Sequence, residues 1–416
     1  MGTPDTDFYA VAVGVGGYAS ANLQDLPATV TDARLLCEAL IDPLLCHYAP
    51  ERTHLLTGAG ATLDGFRDEL AWLARETRPT STALIYFSGH GGRLELPLEA
   101  AASYESFLCL REAEPERLRE TALSATEFAE TLRRIHAGRL VVVLDSCFAA
   151  GAASFKAVAP SASVWREGLT AEALERLGKG SGRVAIASSS ASQVSLVREQ
   201  GDVSLFTYHL LEALKGAAGV RRDGYIHVLD VFHYVSEAIR EQASRQTPIL
   251  KADDLDSNFP IAFDHGGKPR ISSDSAPTGL REVRERIRAE PLAGAEALEG
   301  LSERLPTLPD RQTTRTEVER LRAGLREIQQ RFAASQPVEA LIERERIIYL
   351  LLELCARLEE RAIPTASAAS AAPDQRGAKF IINATTMTGT QFAEEITNHN
   401  YFGPGHTKND SDPDAR

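Results

Sequence analysis

Residues 140–151 read LVVVLDSCFAAG: five apolar residues, then Asp145, Ser146 and Cys147, then small residues. A short continuous apolar run bounded by turn-forming residues predicts a strand buried on both faces. The carboxyl end of that strand then carries a carboxylate, a hydroxyl and a thiol. Two readings stand for it. Either the chain leaves a sheet on whatever polar residues the turn needs, or Cys147 is a nucleophile with a recognition carboxylate two residues before it.

The stretch ALIYFSGHGG repeats the pattern upstream, a buried strand at Ala83–Phe87 followed by His90 among glycines. In an open α/β sheet, functional groups gather at the carboxyl ends of the strands. If the two strands are neighbours, His90 and Cys147 face each other across one cleft. A free thiol is mostly protonated at neutral pH; a nearby imidazole favours the thiolate and can protonate a leaving amine. Backbone N–H groups at Gly91 and Cys147 suit an oxyanion.

Around these strands, residues 8–265 alternate apolar runs with amphipathic stretches. Strands are expected at Phe8–Val15, Ser106–Leu110 and Arg183–Ser188. Helices are expected at Thr31–Leu45, Phe66–Arg75, Ser124–Ile135, Phe206–Lys215 and Val228–Ala243. Ser124-Ala125-Thr126-Glu127 has capping-box spacing. The alternation predicts an α/β fold, a mainly parallel sheet flanked by helices. Gly14-Val15-Gly16-Gly17-Tyr18-Ala19 formally matches a dinucleotide fingerprint, but polar, proline-containing Ser20–Pro27 follows where a helix would have to start.

Beyond this 1–265 unit the character changes. Charged helical stretches at 279–304 and 313–361 predict a helical region over 279–361 that is regulatory or an adaptor. Residues 362–378 read as an Ala/Ser/Pro-rich linker, 379–402 as a β-prone segment, and 403–416 as a disordered tail.

Composition narrows the function. The chain has 416 residues, 43% of them hydrophobic, and a net charge of −13. That charge argues against nucleic acid or an anionic membrane and favours basic ligands, such as polypeptides presenting Arg or Lys. Five cysteines without regular spacing form neither a disulfide framework nor a zinc site. Cys37, Cys46, Cys109 and Cys355 read as small core residues, and His209, His227 and His233 as structural. MGTPDT fits the loose myristoylation pattern, yet an apolar strand begins two residues later with no polybasic patch. With no stretch of spanning length, the expectation is a cytoplasmic protein.

SGHGG and DSC, in this order and context, resemble the caspase-like cysteine peptidases, with the metacaspase and bacterial caspase-homologue branch most similar. The similarity runs over roughly 8–263 and includes GVGGY, TDARLL, ASSSASQVS, SLFTYHLLEAL, QTPIL and NFPIAF. In caspases the histidine lies about 50 residues upstream of the cysteine. The Gln-Ala-Cys signature of true caspases is absent, Asp145-Ser146 standing before Cys147. The resemblance implies a His90/Cys147 dyad and an acidic primary pocket lined by Asp145 and Asp32, with Ser88 beside them. Two carboxylates select Arg by paired hydrogen bonds and Lys as a point charge. For Asp32 the alternative is a helix-start residue favoured by the dipole.

Many metacaspases hold calcium through aspartates downstream of the histidine strand. Between Gly91 and Leu144 this chain has no Asp, only the scattered Glu95, Glu99, Glu105, Glu112 and Glu114. They make a poor calcium site and read as a solvated acidic surface, so no cofactor or metal is expected. Residues 152–182 carry Arg166, Arg176 and Lys179, either self-cleavage sites or part of a specificity loop. The segment IINATTMTGTQFAEEITNHNYFGPG resembles short amyloid-forming signalling motifs of bacterial death-pathway proteins. The alternative is a small hairpin packed on the main domain. Together these expectations describe a cysteine endopeptidase cleaving after Arg, less well Lys, in bacterial defence or regulated cell death. Its partners would be protein substrates with exposed Arg or Lys, an upstream activator, and homotypic partners through 379–402. The rival is an inactive caspase-like adaptor acting through that motif.

Overall fold

The computed structural model describes residues 7–96, 103–146, 165–189, 195–198, 202–243, 246–265, 279–304, 311–332 and 337–362. Cys147 and the 379–402 segment lie outside the described residues. Strand β1 (Phe8–Gly14) leads through α1 (Pro27–Ile41), β2 (Thr53–Thr57) and α2 (Leu63–Glu76) to β3 (Thr82–Ser88). Strands β4 (Gly91–Leu96) and β5 (Ser103–Leu108) follow, then α3 (Leu118–Thr121), β6 (Leu123–Ser124) and α4 (Ala125–Leu132). The LVVVLD stretch is β7 (Arg139–Asp145), succeeded by β8 (Trp165–Glu167), α5 (Ala171–Leu177) and β9 (Arg183–Ala187). Next come α6 (Leu205–Glu212), β10 (Tyr225–His227), α7 (Val228–Gln242), β11 (Ile249–Lys251) and β12 (Pro260–Phe263). Helices α8 (Leu280–Ala289), α9 (Pro291–Arg304), α10 (Arg311–Arg331) and α11 (Val338–Ala362) complete the described chain.

The main sheet has six strands in the order β11-β9-β7-β3-β1-β2. All its pairings are parallel except β11 with β9. The strand period of two divides each strand between two cores. Leu84 and Tyr86 of β3, with Val141 and Val143 of β7, face the core shared with α1, α6 and α7. Ala83, Ile85 and Phe87, with Leu140, Val142 and Leu144, face the core built with α2, α4 and α5. In the second core the Phe66 ring lies 6.4 Å from Phe87 and 5.7 Å from Phe128, all three fully buried. Truncating one to Ala would cost about 3–5 kcal/mol through lost transfer energy and a cavity.

Several boundaries differ from expectation. Helix α1 begins at Pro27, four residues before Thr31, with proline at its first position. Ser124 caps α4 by accepting from Glu127 N at 3.0 Å, but the Glu127 carboxylate grips Arg67 instead of closing a capping box. The helical stretch over 313–361 holds two helices, α10 and α11, with Pro337 just before the second. Segment 152–182 contains β8 and α5 in its described part, so it is not an unstructured loop there. A second, four-stranded sheet, β6-β5-β4-β8, was not anticipated beyond β5.

Helices α8–α11 enclose their own core and pack on α7. Leu341 near the start of α11 joins the α6/α7 core of the main sheet. A buried ion-pair cluster ties the two regions: Arg221 contacts Asp230 at 2.6 Å and Glu345 at 2.6 Å, while Arg222 and Arg284 both reach Glu359 at 2.6 Å. Burial raises Asp230 to about 6 despite Arg221 beside it. Among the described residues, no helix is long and apolar enough to cross a membrane.

Candidate active site

The site is built where β3 and β7 end. Their register pairs Ser88 with Asp145. Ser88 continues the Leu84–Tyr86 face and Asp145 the Val141–Val143 face, so both point toward α1 and α6. The chain then turns through Gly89 to His90, and β4 starts at Gly91. A Cβ on Gly89 would lie 3.1 Å from the Tyr18 hydroxyl, so glycine there lets that hydroxyl approach. Tyr18 uses it to accept the His90 backbone N–H at 2.8 Å.

His90 is 4% exposed, and its Nε2 lies 2.8 Å from the Gln24 carbonyl. A carbonyl can only accept, so Nε2 carries the hydrogen and Nδ1 is the nitrogen that can take up or release a proton. The Gln24 carbonyl comes from the segment between β1 and α1. That segment is held by Val15 N–H donating to Ser88 O and Leu26 N–H to Gly16 O, both at 2.9 Å. Gly14 serves close packing: a Cβ there would meet the Thr29 carbonyl oxygen at 2.3 Å. The glycine fingerprint therefore belongs to the β1–α1 contact, and no helix starts at it.

Asp32 and Asp145 meet beside this turn, 1% and 3% exposed. With α1 starting at Pro27, Asp32 lies beyond the first turn, which contains no acidic residue. The dipole alternative for Asp32 therefore fails. Its carboxylate accepts the Ser204 backbone N–H at 2.9 Å and the Ser88 hydroxyl at 3.2 Å. Asp145 accepts three hydroxyls: Ser195 at 2.7 Å, Ser204, and Thr207 at 3.1 Å. Thr207 has one hydroxyl hydrogen and donates it to Asp145, so the Tyr86 hydroxyl, 2.6 Å away, donates to Thr207.

Ser204 also caps α6, accepting Thr207 N–H at 2.9 Å. Both carboxylates thus sit at the amino end of α6, where the helix field favours negative charge. Burial, and behind it the charge of Asp145, pushes Asp32 up to about 8. Among the described residues, the partners of the two carboxylates are hydroxyls and an amide, with no cationic side chain.

The remaining expected residues are placed as follows. Gly91 opens β4, and its carbonyl accepts Gly168 N–H at 2.8 Å. Cys147 follows Asp145 by two residues and lies outside the described residues. Arg166 is in β8, paired in register with Arg93. Arg176 is in the last turn of α5 and donates to the Thr126 hydroxyl at 2.9 Å, and Lys179 is exposed just after that helix. Glu105, Glu112 and Glu114 engage Arg119, the Leu63 amide and Arg117. No group of three metal-ligating side chains is present among the described residues.

The histidines and cysteines read as structural keep that character. Burial lowers His209, takes His227 to about 4 and His233 to about 3, and raises Cys37 and Cys355 to about 12. Such thiols stay protonated and inert. An apolar void lined by Val143, Phe206 and Val231 lies inside the sheet–helix core and offers no polar group.

A family model described as a caspase domain matches residues 7–260. The chain belongs to the caspase-domain family. Solved structures similar to this caspase-domain chain include protein GSU0716 from Geobacter sulfurreducens, 15% identical over 62% of this chain and 97% of that one, at a TM-score of 0.44. Caspase-1 from Spodoptera frugiperda is 13% identical over 62% and 92%, at 0.40. No curated protein matches significantly.

Membership of the caspase-domain family agrees with the two sequence patterns that mark its strands. Sequence reasoning gave no role to the residues that support them: Tyr18, Gln24, Ser195, Ser204, Thr207 and Gln246. All but Gln24 lie in the stretches that carry the resemblance: Tyr18 ends GVGGY, Ser195 ends ASSSASQVS, Ser204 and Thr207 open SLFTYHLLEAL, and Gln246 opens QTPIL. Ser204, three residues before Thr207 at a helix start, also has a cap pattern.

Proposed function

We propose that the chain is a cysteine endopeptidase of metacaspase type that cleaves after Arg and, less well, after Lys. The observation that carries this reading is the pair of buried carboxylates, Asp32 and Asp145, at the strand ends beside His90. A guanidinium offers paired donors to two such carboxylates, while an ammonium offers a point charge. A substrate carboxylate would be repelled.

In the proposed reaction the Cys147 thiol gives its proton to His90 Nδ1. The thiolate attacks the carbonyl carbon after Arg, and the carbonyl oxygen takes the negative charge among backbone N–H groups at Gly91 and Cys147. The C–N bond breaks as His90 returns the proton to the leaving amine. Water then attacks the thioester, giving a proton to His90; the C–S bond breaks to release the acid, and His90 returns the proton to the Cys147 thiolate. The Gln24 carbonyl supports the sequence by fixing the ring, since the Nε2 bond survives both protonation states.

The wider setting is proposed on sequence grounds. The enzyme works in the cytoplasm in bacterial defence or regulated cell death, on proteins with exposed Arg or Lys. Segment 379–402 recruits similar segments or an upstream activator, and the α8–α11 region is regulatory or an adaptor. Self-cleavage at Arg166, Arg176 or Lys179 would activate it. Arg176 is the poorest of these sites, because its helical turn must open before cleavage.

A peptidyl-arginine chloromethyl ketone tests the dyad and pocket together. Peptide mass mapping should find the adduct on Cys147 in the wild type and none in His90→Ala. An adduct elsewhere, or equal labelling by an aspartyl analogue, would refute the reading.

A further inference from the structure

We infer that Gln246 is the positioning residue of the basic-residue pocket: its buried side-chain amide pins the segment that delivers Ser195 and Ser204 to Asp145. This rests on the reading of Asp32 and Asp145 as that pocket.

Gln246 is 2% exposed and stands where the chain returns from α7 to the sheet edge. Its own N–H donates to Ala243 O at 3.2 Å, which fixes it to the end of α7. Both ends of the side-chain amide are used. Nε2 donates to the Ser188 carbonyl at 3.0 Å, one residue beyond β9, and Oε1 accepts the Leu196 backbone N–H at 3.0 Å. A buried amide satisfied at both ends has one orientation, and so does whatever it holds.

What it holds is short. Leu196 O accepts Leu205 N–H at 2.8 Å, and Arg198 N–H donates to Val203 O at 3.1 Å, making a narrow antiparallel turn-back with a bridge between Val197 and Ser204. Beside Leu196, Ser195 donates to Asp145 Oδ1. Across the bridge, Ser204 donates to Asp145 Oδ2 and offers its N–H to Asp32. Moving Leu196 therefore moves Ser195 beside it and loosens the bridge that steadies Ser204, which α6 also holds as its cap. Tyr18, Gln24 and the Cys109 backbone N–H tie His90 and its turn from the β1–α1 segment and from the end of β5. Gln246 therefore ties the pocket side, while Tyr18 and Gln24 tie the imidazole side.

The test compares full-length wild type with Gln246→Met, which keeps the volume and removes both hydrogen bonds, and Gln246→Glu, which keeps an acceptor for Leu196 but turns a carboxylate toward the Ser188 carbonyl. Three readouts are taken: KM and kcat on an arginyl fluorogenic peptide, the rate of Cys147 alkylation by iodoacetamide, and hydrogen–deuterium exchange over 195–205. For Gln246→Met we expect KM to rise about tenfold, the lower end of what losing two net hydrogen bonds would produce, since their loss reaches the pocket through the segment. Exchange over 195–205 should accelerate by a similar factor, while alkylation stays within about twofold. Gln246→Glu should fall between it and wild type in exchange. Unchanged exchange over 195–205, or KM, alkylation and exchange all altered as in general unfolding, would overturn the inference. Wild type inactive on arginyl peptides, with exchange still accelerated by Gln246→Met, would refute the pocket reading and leave the positioning role standing.

Discussion

Ser88 and Asp145 are register partners on the parallel strands β3 and β7, and both point into the space between α1 and α6. His90 follows the first by two residues and Cys147 follows the second by two. One strand pairing thus places the groups proposed for recognition, and its continuation carries the groups proposed for chemistry.

Asp32→Asn should trade activity for stability. Cleavage of an arginyl peptide should fall about ten- to hundredfold in kcat/KM, as expected for losing a charge-assisted contact of about 1.5–3 kcal/mol. The melting temperature near neutral pH should rise, because a buried carboxyl that must take up a proton on folding is replaced by a neutral amide whose oxygen still accepts Ser204 N–H. Lower stability together with full arginyl cleavage would contradict the assignment.

The pH dependence has a definite sign. Asp32 is raised from 3.8 to about 8, chiefly by burial and then by Asp145. A bound cation favours the ionised form, so below about pH 8 substrate must expel a proton to bind. KM for arginyl peptides should therefore fall as pH rises from about 6 to 8, by at most about tenfold per unit for one proton, and level off above. Between about pH 4 and 8 the folded state also binds the extra proton, so this group makes stability decline as pH rises through that window. Asp32→Asn should remove both slopes; a KM flat across the range in wild type would contradict the coupling.

Tyr18→Phe should act on turnover. It leaves the His90 backbone N–H without its acceptor, a loss of about 1–3 kcal/mol where the group stays buried. Steady-state kinetics should show kcat reduced about tenfold with KM held, the reverse of the Asp32 pattern. A change in KM alone would place Tyr18 with the pocket instead.

How much of this was legible in the sequence follows from where the signal lies. The strands β3, β7 and β9 are continuous apolar runs, so they and the groups ending them can be read directly. Strand β2, THLLT, is half-exposed and short, and β11 is a brief antiparallel edge after Pro248; neither has a periodic signature. Helix α1 starts early because Pro27 fixes its first turn, whereas the apolar periodicity begins later. The pocket's supporting hydroxyls come from segments far apart in sequence. Ser195, Ser204 and Thr207 look like turn and cap residues until the fold brings them onto one carboxylate.

The ion-pair cluster between α7 and α11 should matter for stability and little for pocket chemistry. Glu345→Ala leaves Arg221, 12% exposed, with one carboxylate fewer in a largely dry place. Asp230 still pairs with Arg221, so the cost should be about 1–3 kcal/mol, that of a lost charged hydrogen bond, below that of a wholly unpaired buried charge. Denaturant unfolding should register that loss, while kcat/KM below the transition stays near wild type. An unchanged midpoint would mean the α8–α11 region is not held through this cluster.

The most direct test of the central claim is kcat/KM for wild type and Cys147→Ala on three fluorogenic peptides that differ only in ending in Arg, Lys or Asp. The account predicts cleavage in the order Arg, Lys, with Asp uncut, no activity in Cys147→Ala, and no effect of a calcium chelator. Preference for Asp, or activity that survives in Cys147→Ala or returns only with added calcium, would contradict it.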